Sequence, residues 1–250
     1  MIANFERFRH DRAQPDAPAS RPFRGRRGLP CFLRSEPHRR SLSLVGSQHH
    51  PMPNSNYPSL ESLLAAVRGC RACEAHLPLG PRPVLQAAVT SRILVVGQAP
   101  GLRVHTTGIP WDDASGERLR EWMGVTKETF YDESRIAIIP IGYCYPGRGK
   151  GGDLPPRREC AELWLAQLLS KLSQVELTLL VGLHAQRRFL GRRRKSSLAQ
   201  TVDAWRQYAP QYVPLPHPSP RNAPWLKRNS GFERQLLPEL RLRVGALLAR

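Results

Sequence analysis

Several features are missing from this sequence, and each absence removes a class of protein. No apolar run approaches the roughly 20 residues of a membrane-crossing helix, and the N-terminus lacks the apolar core of a secretory signal. Acidic residues are scarce, 20 against 38 Lys plus Arg, so the formal charge is +18. That imbalance disfavours a basic partner and favours an anionic one, nucleic acid ahead of a membrane surface. Neither the GxGxxG fingerprint of dinucleotide-binding folds nor a P-loop GxxxxGK[ST] occurs. Cysteines number five and form only one close pair, Cys70-x-x-Cys73, which is no disulfide framework. A reducing cytoplasm is the expected compartment, where metal or cluster binding by thiols outranks disulfides.

What is present has globular composition, 40% hydrophobic and 23% charged residues. The 250 residues suit one domain with ample length for a core. The chain divides near residue 52. Residues 1–51 show no hydrophobic periodicity and carry ten Arg against four acids, a net +6 that leaves +12 for the rest. This composition reads as a disordered basic extension. It is either a DNA-holding arm or an addition from a start codon placed too early, and Met52 is the favoured true start.

From residue 52 to 250 the pattern is regular. Ser59 can cap a helix over Leu60–Arg68, with apolar Leu60, Leu63, Leu64 and Val67. Short, β-branched apolar runs predict buried strands at Ile93–Val96, Ile136–Ile141, Leu177–Val181 and Tyr212–Leu215. Helical segments fall near Gly116–Met123, Glu159–Leu172, His184–Leu190 and Leu198–Tyr208. A closing helix covers Phe232–Leu248, with Pro238 as an expected kink. Alternation of strand and helix predicts a three-layer α/β/α sandwich around a mainly parallel four-stranded sheet. Ligands of such folds bind at the carboxyl ends of strands.

The residues after those strands carry the chemistry. The first strand runs into Gly97-Gln98-Ala99-Pro100-Gly101, and the last into His217-Pro218-Ser219-Pro220-Arg221-Asn222. Either motif alone could be a tight turn. Between them lies Gly108-Ile109-Pro110-Trp111-Asp112-Asp113-Ala114-Ser115-Gly116. The three together, in this order, resemble the active-site segments of the uracil-DNA glycosylase superfamily over about Leu60 to Leu248. The resemblance implies a DNA-repair hydrolase that flips a deaminated base, uracil or a relative, from single- or double-stranded DNA and cleaves its N-glycosidic bond. A monomer acting at the nucleoid, with no membrane partner, is expected.

The resemblance also distributes roles. His217 would donate to a carbonyl of the departing base, helped by backbone amides of Gln98–Gly101, and Trp111 would stack on the base. Ser219 and its neighbours, including Asn222, would hold a backbone phosphate. Arg221 or Pro220 would fill the gap left in the duplex. The first motif lacks an acid: other branches of the family carry Asp at the position of Ala99 or Glu at that of Gln98. Gln98 can position a water but not take its proton. Asp113, two residues before Ser115-Gly116, is the leading candidate for activating water, with Asp112 second. One of the two can instead cap the helix that follows.

The cysteines make a separate case. Cys70 and Cys73 form a pair, while Cys144 and Cys160 stand alone, a 2+1+1 pattern that suits zinc poorly and a Cys₄ iron–sulfur cluster better. It resembles the iron–sulfur branches of the superfamily, families four and five, and implies a structural 4Fe-4S cluster on Cys70, Cys73, Cys144 and Cys160. Cys31 is spare. Arg148, Lys150, Arg157 and Arg158 give the loop between the last two cysteines a basic surface. Arg187, Arg188 and Arg192–Lys195 form the densest basic run, suited to general DNA attraction. In families four and five an Asn four residues before the third cysteine reads uracil, and here that position is Pro140. The rivals are a non-catalytic DNA- or damage-binding protein of the same fold and a zinc-bearing nucleic-acid module. The test between enzyme and binder is whether His217, Trp111 and Asp113 surround one cavity.

Overall fold

A computed structural model describes residues 57–250. The expectations for residues 1–51, and for Cys31 and Met52, lie outside the described residues. Four strands, β1 (Ile93–Val96), β2 (Ile136–Ile138), β5 (Leu177–Val181) and β6 (Tyr212–Leu215), form one sheet in the order β2-β1-β5-β6. All pairings are parallel, with Ile93 opposite both Ile136 and Leu177, and Leu179 opposite Val213. Every residue of β1, β2 and β5 is buried, as parallel strands covered on both faces must be.

Alternate strand residues serve opposite layers. Leu94, Val96, Ala137 and Leu180 join one core with α1 (Leu60–Arg68). That layer also contains the helical stretch α5 (Arg158–Cys160), a π-turn at Ala161–Leu165 and α6 (Ala166–Ser170), together with α7 (Leu183–Leu190). Ile93, Val95, Ile138, Leu179, Val181, Val213 and Leu215 face the second core. Its helices are α3 (Ala114–Met123), α8 (Leu198–Asp203) and α10 (Leu237–Leu248). This is the three-layer sandwich that the alternating pattern predicts. Ser59 caps α1, and its exchange with Ser62 satisfies two backbone donors that the helix leaves open.

Several boundaries differ from the sequence expectation: α8 stops at Asp203 rather than Tyr208, with a separate 3-10 turn at Trp205–Gln207. Strand β2 ends at Ile138 rather than Ile141. Its continuation is still laced to the first motif: Ile141 N–H donates to Gly97 O and Gly142 N–H to Gln98 O. The helix after Trp111 starts at Ala114, two residues early, because Asp113 is its cap. Pro238 lies in the first turn of α10, where its missing N–H costs little, and the irregularity falls in the preceding π-turn, Phe232–Leu236. Elements with no apolar signature were not anticipated. They are α2 (Leu102–Thr107), α4 (Lys127–Tyr131), α9 (Ala223–Arg228) and the antiparallel hairpin β3 (Arg148–Gly149)–β4 (Gly152–Asp153).

Candidate active site

At the carboxyl end of the sheet a cavity of about 600 Å³ opens, within the roughly 300–1,000 Å³ usual for ligand sites. The first motif lines it through Gly97, Gln98, Ala99, Pro100 and Gly101. The last motif contributes His217, Ser219, Pro220, Arg221 and Asn222, and the segment between them contributes Trp111 and Asp113. The residues singled out by the motifs therefore converge on one space. Asp112 does not join them; its carboxylate lies 3.7 Å from the Arg103 guanidinium.

The Trp111 side chain is held by close backbone packing. Its φ of +57° is left-handed, an uncommon state for a bulky residue and one that costs of order 1–3 kcal/mol. A Cβ on Gly116 would fall 1.8 Å from the Trp111 carbonyl oxygen, so only glycine fits beneath that strained turn. The indole also lies against Gly97, where a Cβ would stand 2.8 Å from Trp111 Cζ2. Ring centroids of Trp111 and His217 are 5.7 Å apart. One wall of the cavity is thus a fixed aromatic surface beside an imidazole.

His217 follows β6 and is locked in place. The Ser219 backbone N–H donates to His217 Nδ1 at 3.2 Å, and Asn222 Nδ2 donates to the His217 carbonyl at 2.7 Å. A backbone amide can only donate, so Nδ1 is an acceptor and the neutral ring carries its proton on Nε2. Among the described residues Nε2–H meets no acceptor. Burial holds the His217 pKa below its ordinary value of 6.5, against the opposing pull of the Asp113 and Asp153 carboxylates. A neutral donor, pre-oriented by its own loop, is the result. Arg118 braces that loop through the Pro218 and Ser219 carbonyls, each at 3.3 Å. Ser219 Oγ accepts from Arg221 N–H at 3.3 Å and shapes the turn.

The remaining polar groups divide unequally. Asp113 Oδ1 accepts from Gly116 N–H at 2.9 Å, so this residue caps α3 and lines the cavity at once. Gln98 Nε2 donates to the Leu154 carbonyl at 3.1 Å, which commits its amide to the β3–β4 hairpin. The backbone N–H groups of Gln98, Ala99 and Gly101 find no acceptor among the described residues and remain available to a ligand. Apolar walls come from Val84, Ile138 and Pro140. Pro140 offers no side-chain hydrogen bond to a base edge. Sequence reasoning put Arg148 on a basic loop but missed Gly152 and Asp153, which the hairpin adds to the lining. The Gly-rich turn around Gly149–Gly152 was the available signal.

The cysteines gather at a second place. Cys70, Cys73, Cys144 and Cys160 line one small cavity with Leu77, Pro81, Pro83, Tyr143 and Arg157. Cys70 follows α1, Cys144 follows β2, and Cys160 ends α5, so distant segments meet there. Trp164 Nε1–H donates to Cys70 Sγ at 3.3 Å. Burial pushes the Cys144 thiol up to about 11. Cys73 is drawn down, mainly by its hydrogen bond with Cys160, while Cys160 is driven up by the same bond. Four thiolates so close would repel unless cationic charge lay between them. No group of three or more His, Cys, Asp or Glu side chains among the described residues is arranged to hold a single metal ion.

The basic residues are also sorted. Arg148 reaches the active cavity, whereas Arg157 pairs with Glu159 and lies against the cysteines. Arg187, Arg188, Arg192 and Arg193 are exposed on and after α7, away from the cavity. No helix among the described residues is long and apolar enough to cross a membrane. The family model of the uracil DNA glycosylase superfamily matches residues 85–241, which span both motifs and the segment between them.

Proposed function

The chain belongs to the uracil DNA glycosylase superfamily, and from that premise we propose that it excises a deaminated base from DNA by hydrolysing the N-glycosidic bond. Membership supports glycosylase-type action on DNA in general; the base and the division of roles are the proposal. The carrying observation is the single cavity that unites Trp111, His217, Asp113 and the open amides of Gln98–Gly101. A flipped base would stack on the Trp111 indole. His217 Nε2–H would donate to the base carbonyl on which negative charge grows as the bond breaks, and the free amides would add to it. A pre-oriented donor of this kind is typically worth about 10²–10³-fold in rate.

The sugar becomes positively charged as the base departs, so a carboxylate facing it lowers the barrier. Asp113 is the proposed group. Its Oδ1 is anchored to the α3 backbone, which fixes the carboxylate without a cation to neutralise it: among the described residues Asp113 has no ion-pair partner. The apolar Val84, Ile138 and Pro140 walls favour a planar base without strict reading of its edge. That supports a substrate set broader than uracil, with hypoxanthine and xanthine included. Arg148 and Arg221 at the rim supply cationic partners for phosphates on either side.

The cysteine site fits a Cys₄ iron–sulfur cluster on the chemistry of its donors. Four thiols line one cavity, an indole N–H already points at one sulfur, and the crowding favours cationic charge between them. A cluster gives each thiolate its own iron and so spreads the ligands wider than a single ion does. Cys70, Cys73, Cys144 and Cys160 would hold it, and its contribution would be structural, a cross-link between the segment after α1 and the loop after β2. The deciding experiment is base release from duplex and single-stranded oligonucleotides bearing one uracil, hypoxanthine or xanthine. Release of a free base with an abasic product supports the enzyme. Binding to all of them without release leaves the non-catalytic damage-binding protein.

A further inference from the structure

The first motif carries no acid, yet an unassigned carboxylate stands over it. Asp153 ends the β3–β4 hairpin, and its Oδ2 lies 3.4 Å from where a Cβ on Gly101 would be. It therefore lies over the backbone of the motif whose Gln98, Ala99 and Gly101 amides have no acceptor among the described residues, and it lines the cavity with Trp111, Asp113 and His217. Two contacts fix the hairpin against the site, and a third closes its own base. Gln98 Nε2 donates to the Leu154 carbonyl at 3.1 Å, directly after Asp153. Leu154 N–H donates to Gly147 O at 2.9 Å. Arg221 Nη1 packs on Gly152, 2.9 Å from where its Cβ would be. Both catalytic motifs thus grip the segment that presents this acid.

We propose that Asp153 is the catalytic base that orients and deprotonates the attacking water, replacing the carboxylate that the Gly97–Gly101 motif lacks. The assignment rests on the glycosylase reading above and deepens it. Among the described residues the Asp153 carboxylate has no hydrogen-bond or ion-pair partner, unlike Asp113, whose Oδ1 is spent on capping α3. Asp153 is an exposed residue and lines the cavity, so water can reach it. Its exposure at the cavity mouth lets water arrive from solvent while the base is sequestered deeper, against Trp111 and His217. In the reaction the C1′–N bond breaks and its electron pair leaves with the base, held by His217 Nε2–H. The water oxygen bonds to C1′, and the proton it loses passes to the Asp153 carboxylate and then to solvent or the departed base. Products are free base and an abasic sugar, with no further reactant. Gln98 acts as a positioning residue, since it holds the hairpin rather than the water.

The hairpin also lies between Cys144 and Cys160, whose side chains share one cavity. The two ends of the Asp153 segment therefore come close together, and a cluster on these cysteines would pin them and restrain a short Gly-rich strand pair.

The test is single-turnover base release by the full chain, on duplexes with one uracil, hypoxanthine or xanthine, for the parent and for D153N, D153A, D153E and D113N. D153N should lose about 10²–10⁴-fold in rate, the usual range for a general base. Its melting temperature and its affinity for a duplex with an uncleavable abasic analogue should stay unchanged. D153E should recover part of the rate, and added formate should speed D153A without affecting the parent. Release by D153N within threefold of an active parent overturns the assignment and leaves the glycosylase reading intact. A slow D153A that formate and D153E both fail to rescue also overturns it, because that outcome marks a structural role. A parent that releases no base from any duplex overturns the glycosylase reading and this assignment with it.

Discussion

Replacing Gly116 with alanine tests how firmly the site depends on the placement of Trp111. At an open helical position Gly→Ala stabilises by about 1 kcal/mol. Here the sign should reverse. The added methyl would meet the Trp111 carbonyl oxygen at 1.8 Å, its carbonyl carbon at 2.7 Å and its Cβ at 2.8 Å. Two of these atoms are backbone, and the oxygen must retreat by more than 1 Å to reach ordinary contact. Trp111 already occupies a left-handed turn with φ +57°, so little adjustment is open to it. Overpacking of this kind costs about 1–3 kcal/mol, and for a domain of this size each kcal/mol lowers the melting temperature by about 2–4 °C. A fall of about 2–12 °C is the expected range. The indole should move with its backbone, and an ångström of misplacement can cost about 10²-fold in rate. Differential scanning fluorimetry and single-turnover base release read the two effects separately. An alanine variant with parental melting temperature and a rate within twofold of the parent would refute the claim that Gly116 seats Trp111.

Other consequences separate structure from chemistry. Asp113→Asn should keep the α3 cap, because Asn caps as well as Asp, and should hold the melting temperature while lowering the rate at least tenfold. Asp113→Ala should lose the same rate and also about 0.5–2 kcal/mol of stability, as urea denaturation would show. The depressed pKa of His217 gives a signed pH dependence. Above 6.5 the ring is neutral folded or unfolded and contributes nothing. Below it the unfolded chain binds the proton first, so stability falls as pH drops toward the folded pKa, with a slope of at most about 1.4 kcal/mol per pH unit. His217→Gln should lessen that slope in chemical denaturation across the acidic range, and an unchanged slope would contradict the buried neutral state. Cys144→Ser should abolish visible absorbance in anaerobically prepared protein and lower its melting temperature, while iron analysis of the parent should find the metal.

Much of the fold was legible because buried parallel strands have a distinctive grammar. Ile93–Val96, Leu177–Val181 and Tyr212–Leu215 are short, β-branched and bounded by turn residues, and each matches a strand end to end. The helix at Leu60–Arg68 was equally plain from its apolar spacing and from Ser59. Apolar composition overran the end of β2, because Ile139 and Ile141 stay buried and bonded to Val95 and Gly97 beyond Ile138. The β3–β4 hairpin escaped for a different reason. Arg148–Asp153 has no apolar alternation, and its pairing is sustained by Gly turns and by contacts from Gln98 and Arg221 far away in sequence. The same hairpin carries Asp153, so the part of the site that motif spacing could not supply is the part built by tertiary contact. Asp113 illustrates the limit of spacing in another way. Capping and facing the cavity are compatible in one residue, and only geometry shows that it does both.

The central claim is that this cavity breaks an N-glycosidic bond. Its most direct measurement is mass-spectrometric detection of free base and abasic DNA after the full chain meets a duplex with a single deaminated base, beside His217→Ala as control. Free base should appear in amounts matching the abasic strand, and His217→Ala should slow its release by about 10²–10³-fold, the loss expected for one pre-oriented donor. Tight binding of the damaged duplex by the parent with no base released from uracil, hypoxanthine or xanthine would contradict the account.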